Sequence, residues 1–171
     1  MADFDINQVK GNDRYIAGGA IILLIDSFLS WYTYSFKGPV AALTATGHDS
    51  GSLWHQPYGF LKLALILSLV AGALVIARLM GSLDNVNLPA GINIITLALS
   101  GLATFIFLLR FLTAFKSNSI LGASISAHPA FGWYIGLLVS GAMTYFAFLN
   151  FKASGEALPT RPGSTPPPPE S

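Results

Sequence analysis

The chain has 171 residues, 53% of them apolar and 10% charged, with a mean hydropathy of +0.59. A soluble domain wets its surface with roughly 25% charged residues, so nine basic and eight acidic side chains exclude an ordinary soluble fold and make lipid the main solvent. A net charge of +1 gives no polyanion-binding signal and places nucleic acid well down the list of partners, while the absence of cysteine excludes disulfides, thiolate metal sites and cysteine nucleophiles.

In chain order, residues 1–14 form a polar N-terminal segment carrying Asp3, Asp5, Lys10, Asp13 and Arg14. The acidic and basic mixture, with no small-residue cleavage site after it, reads as an uncleaved first helix rather than a signal peptide. Residues 15–36 are the first expected span: between Arg14 and Lys37 lie 22 residues whose only charge is Asp26. About 20 helical residues cover a hydrocarbon core of about 30 Å. The second expected span is 59–80, with Lys62 and Arg78 close enough to its ends to snorkel. The third is 89–112, opening on Pro89, and the fourth is 131–151, following Pro129 and closing before Lys152.

Continuous apolarity over about 20 residues argues for helices, since membrane strands alternate over about 10. The expected fold is therefore all-α: an integral membrane four-helix bundle over residues 15–152 with short loops. After it, residues 153–171 contain Pro159, Pro162 and the run Pro166 to Pro169, and read as a disordered proline-rich tail. With both termini cytoplasmic, five basic residues lie inside (Lys10, Arg14, Arg78, Lys152, Arg161) against four outside (Lys37, Lys62, Arg110, Lys116). The expected location is the plasma (inner) membrane.

Asp26 is the residue most in need of an explanation. A carboxylate inside an apolar run is costly on insertion scales and must face the bundle, paired or protonated. It reads either as polar glue between helices or as a proton or cation site, and Arg110 at the end of the third span is its candidate ion-pair partner. Asn93, Thr96, Ser100 and Thr104 share one face of the third span and could line a narrow polar seam opposite it. Small residues recur every four positions, as Ala64, Ser68 and Gly72 on the second span and Gly132, Gly136 and Ser140 on the fourth. Such stripes let helix backbones approach closely, within the bundle or against another subunit. Trp31, Trp54 and Trp133 fall on one side and suggest an aromatic belt at the outer interface. His48, His55 and His128 are scattered over the loops without metal-ligand spacing, so no metal or cofactor is expected.

Two short stretches carry a resemblance. Phe28-Leu29-Ser30-Trp31 closes the first span and Gly132-Trp133-Tyr134-Ile135-Gly136-Leu137-Leu138 opens the fourth. In these the chain resembles small four-span integral membrane proteins of actinobacteria, mostly uncharacterised. The resemblance implies a bacterial inner membrane and brings no activity with it. Trp31 with Gly51-Ser52-Leu53-Trp54 also invites comparison with claudin-type four-span proteins, but the two cysteines of their first external loop are missing here.

No nucleophile–base pair or metal constellation stands out, so the functional expectation is non-enzymatic. It is an accessory or scaffolding subunit that packs against other membrane proteins, its tail free to meet a cytoplasmic partner. The alternative is a small transporter or channel subunit working through Asp26.

Overall fold

The structure is a computed structural model that describes residues 6–37, 48–55, 59–83, 90–113, 117–120 and 123–156. Four helices, α1 (Ile6–Asp26), α2 (Gly59–Leu79), α3 (Ile92–Thr113) and α4 (Phe131–Ser154), carry most of the described residues. Leucine, alanine and isoleucine dominate α2 and α3, which suits helix formation. The end of α2 is a Schellman turn: Gly81 adopts φ 73°, its N–H donates to Arg78 O, and Ser82 N–H donates to Ala77 O. Gly155, at φ 61°, closes α4 in the same left-handed conformation.

Three of the four helices are long and apolar enough to cross a membrane: α2, α3 and α4, with mean hydropathies of 2.5, 2.2 and 1.4 over their best windows. They agree with the expected spans 59–80, 89–112 and 131–151 to within a few residues. The first expected span, 15–36, is corrected at both ends. Helix α1 begins at Ile6, inside the segment expected to be merely polar, and stops at Asp26. Its apolar stretch between Arg14 and Asp26 is therefore short, and α1 does not qualify by composition.

Beyond α1 the chain becomes a strand. It tightens through Ser27, Phe28 and Leu29, whose N–H groups donate to Leu23, Ile25 and Asp26 carbonyls. It then runs extended as β1 (Ser30–Lys37). The sequence Ser-Trp-Tyr-Thr-Tyr-Ser-Phe-Lys is as apolar as a helix end but rich in aromatic residues that favour a pleated surface. The regions expected to be loops supply β2 (His48–Ser52), β3 (Ser117–Ile120) and β4 (Ala123–Pro129). Together the four form an antiparallel sheet in the order β2-β1-β4-β3. In the central pair Tyr32 faces Pro129 and Tyr34 faces Ala127, and β1 also pairs with β2, Thr33 opposite Ser50. The molecule is thus mostly helical, as expected, with an unexpected sheet in place of loops.

The helices close a ring in which each packs on its sequence neighbours and α1 meets α4. Because successive helices run antiparallel, the sheet caps the end formed by the C-termini of α1 and α3 and the N-termini of α2 and α4. The expected tail, 153–171, begins with the last turn of α4, and residues 157–171 lie outside the described part of the chain.

Candidate functional site: polar centres at the two ends of the bundle

Small residues determine how closely the helices approach. Ala64, Ser68 and Gly72 are all buried, and a side chain at Gly72 would overlap Ala20 of α1. On α4, Gly132, Gly136 and Ser140 are buried as well, but the first two serve a different purpose from the one their spacing suggests. A Cβ at Gly132 would lie 2.7 Å from Trp31 Cδ1, and one at Gly136 would overlap the far edge of the same indole. The Gly-x-x-x-Gly motif is a slot for a tryptophan, not for another helix.

Trp31 fills that slot completely, at 0% exposure, and its Nε1 donates to the Asp26 backbone carbonyl at 2.8 Å. Trp133 lies edge-on to it at 5.2 Å between centroids, and Phe107 of α3 stands 5.6 Å from Trp31. With Tyr32 over Trp133 at 5.7 Å, these rings form an aromatic plug between helices and sheet. Trp31 and Trp133, at 0% and 1% exposure, are therefore corrected from interfacial to core residues. Trp54, at 41% exposure, keeps its ring outward while its Nε1 donates to Ser27 Oγ at 3.0 Å.

Asp26 sits beside this plug, at the last residue of α1 rather than in the middle of a span. It is only 2% exposed, and neither carboxylate oxygen has a hydrogen-bond partner among the described residues. No ion pair joins it to Arg110 among the described residues, so that expected pairing is corrected. The polar seam of α3 does not reach it either. Thr96 Oγ1 donates to Ile92 O and Ser100 Oγ to Thr96 O, while Thr104 bonds Thr144 of α4 at 2.9 Å. These hydroxyls satisfy themselves on their own helices or across one interface, which leaves a packed seam.

The opposite end holds a second centre that no motif announced. Asp13, 1% exposed on α1, accepts from Asn150 Nδ2 of α4 at 2.6 Å and lies 3.7 Å from Arg78 Nε of α2. Arg78 Nη1 donates to Asn93 Oδ1 of α3 at 2.6 Å, and Asn93 Nδ2 donates to Glu156 Oε1 at 2.8 Å. Glu156 Oε2 then accepts the Ile94 N–H in the first turn of α3, at 3.3 Å. One unbroken chain of contacts therefore ties all four helices together. The carboxylate at the end of it meets an unsatisfied N–H at the positive end of a helix. Gly91 makes room for it, since a Cβ there would overlap the Glu156 carboxylate.

Sequence reasoning missed this centre because it took Arg78 as snorkelling and Asp13 as part of a polar leader. Asn150, an amide in an otherwise apolar run, was the available signal. The histidines stay at the sheet end. His48 and His128 lie on the strands flanking β1, opposite Ser35 and Thr33, and His55 Nδ1 is 3.0 Å from Ser52 Oγ. No protein family, curated protein or solved structure matches the chain.

Proposed function

We propose that the chain is a non-enzymatic, four-span protein of the plasma (inner) membrane, with both termini cytoplasmic, that packs against other membrane proteins as an accessory or scaffolding subunit. The observation that carries this reading is the contrast between interior and exterior. Inside, aromatic rings, small residues and self-bonded hydroxyls fill the bundle without a polar path along it. Outside, every helix displays large apolar side chains, such as Ile22 and Ile25, Phe60 and Ile66, Phe105 and Leu112, and Leu138 and Tyr145.

The same contrast supports α1 as the fourth span. Its mean hydropathy is lowered by Lys10, Asn12, Asp13, Arg14 and Asp26, yet Asp13 and Asp26 are buried inside the bundle, Asp13 bonded to Asn150 of α4, and from Tyr15 onward the exposed face carries Tyr15, Ile21, Ile22, Leu24 and Ile25. Buried polar residues that face the bundle and bond to neighbouring helices are the tolerated kind in a membrane. Gentle-detergent purification of the tagged protein tests the proposal. A stoichiometric membrane-protein companion is the expected result.

A second reading, a small transporter or channel subunit, is favoured by one fact: the Asp26 carboxylate is buried without a hydrogen-bond partner among the described residues. Burying a charge is expensive unless something neutralises it, and a transported proton or cation would do so. A lone protein whose ion flux in liposomes is abolished by Asp26→Asn would replace the accessory reading with this one.

A further inference from the structure

We propose that the groove between α1 and α4 is a binding site for one acyl chain of an anionic phospholipid, with the headgroup held by Arg14. The groove has a volume of about 260 Å³ and is lined by Arg14, Tyr15, Gly18 and Ile22 from α1, facing Leu138 and Phe146 among the residues of α4. From Arg14 to Ile22 is eight residues, or about 12 Å of helix at 1.5 Å per residue. At its floor Gly19 packs directly on Met143, where an added Cβ would lie 2.6 Å from Met143 Cγ. One residue earlier, Gly18 has open space where a side chain would stand. Tyr15 stacks on Phe146 at 4.7 Å and walls the end next to Arg14.

Charge decides the occupant. Arg14 is the groove's one charged lining residue and makes no ion pair among the described residues. Its neighbour Asp13 is turned inward to Arg78 and Asn150 and cannot neutralise it. Arg14 also lies at the end of the bundle that carries Arg78 and Lys152, where a headgroup would sit if the helices cross a bilayer. A cation at the mouth of an apolar, lipid-facing furrow is complementary to a phosphate with a hydrocarbon tail, and basic residues are drawn to an anionic lipid surface. A partner helix would fill the furrow but leave Arg14 unanswered.

The site rests on α1 crossing the membrane, as proposed above. The test uses the full chain, delipidated in mild detergent, with thermal unfolding followed on addition of phosphatidylglycerol or phosphatidylcholine. Phosphatidylglycerol at about a hundredfold excess over Kd should raise Tm by roughly 5 °C, and phosphatidylcholine by clearly less. Arg14→Gln should reduce the phosphatidylglycerol shift to the phosphatidylcholine level. Gly18→Leu, placed in open space and so compatible with folding, should abolish both shifts. Equal shifts with the two lipids in the unaltered protein, or a full shift in Gly18→Leu, would overturn the proposal. A lipid-independent dimer that Gly18→Leu dissociates would also overturn it, in favour of a second copy. Aqueous maleimide labelling of Ile22→Cys in native vesicles is read separately: labelling means that α1 is not in the bilayer, whatever the lipid shifts.

Discussion

The two ends of the bundle are closed by different kinds of interaction. At the end away from the sheet, closure is electrostatic: Asn150, Asp13, Arg78, Asn93 and Glu156 form a relay in which most polar atoms find a partner on another helix. At the sheet end, closure is a matter of shape, with Trp31 seated against Gly132 and Gly136 and packed on Trp133 and Phe107. The one carboxylate at that end of the helices, Asp26, takes no part in it. Polar side chains join the helices at the first end, whereas at the second the Asp26 carboxylate has no hydrogen-bond partner among the described residues.

Breaking the relay should have the largest effect. Asp13→Ala takes the acceptor from Asn150 and leaves Arg78 with Asn93 alone, and should cost about 3 kcal/mol, the low end for a broken buried pair because Arg78 is partly exposed, measured by unfolding in detergent. Replacing Asp13 and Arg78 together by leucine should recover only part of that loss, because it removes the unpaired charge but still takes these partners from Asn150 and Asn93. An Asp13→Ala protein as stable as the parent would refute the electrostatic account of this end.

Filling the slot comes next. Gly136→Ala should destabilise by about 1–3 kcal/mol through overlap with Trp31, even though alanine is the better helix former. Gly141→Ala, on the same helix with nothing within 4 Å of the added carbon, should instead gain about 0.5–1 kcal/mol. Equal effects at the two glycines would show that Trp31 does not occupy the slot.

Glu156→Gln should cost about 1 kcal/mol, since an acceptor for Asn93 remains but the charge facing the start of α3 is lost. The smallest effect is expected at Asp26. Asp26→Asn removes no hydrogen bond among the described residues and should leave the unfolding midpoint unchanged or raise it, since an unpaired charge is costly to bury. A loss above about 1 kcal/mol would make Asp26 a structural residue and erase the difference between the two ends.

Helices α2, α3 and α4 were legible because each is an apolar run bounded by charges, and hydropathy measures that directly. The first span was misread for the same reason. Trp31, Tyr32, Tyr34 and Phe36 extend the apolar run beyond Asp26, but hydropathy does not separate a helix from an aromatic strand. Period-two alternation was present in Ala123–Pro129, where serine and histidine interleave with alanine and isoleucine, although its serines resemble a loop. The spacing of Gly132 and Gly136 was visible, while their occupant, far back in the chain on β1, was not. The relay was hidden for a related reason: Asp13 and Asn150 are 137 positions apart, and nothing local to either names the other.

The strand order has a mechanical consequence. Strands β1 and β4 are the direct continuations of α1 and α4 and pair along Tyr32 to Lys37. Sliding α1 past α4 would therefore require the central ladder to change register, and a one-residue slip would turn Trp31 and Tyr32 each to the opposite face. These two helices are coupled at one end through the ladder of the strands that continue them. Helices α2 and α3 join the sheet through its outer strands, and Arg78 and Asn93 clasp them to each other at the far end. A swing of α2 and α3 against α1 and α4 that preserved the sheet would have to release Arg78–Asp13, Asn93–Glu156 and Thr104–Thr144.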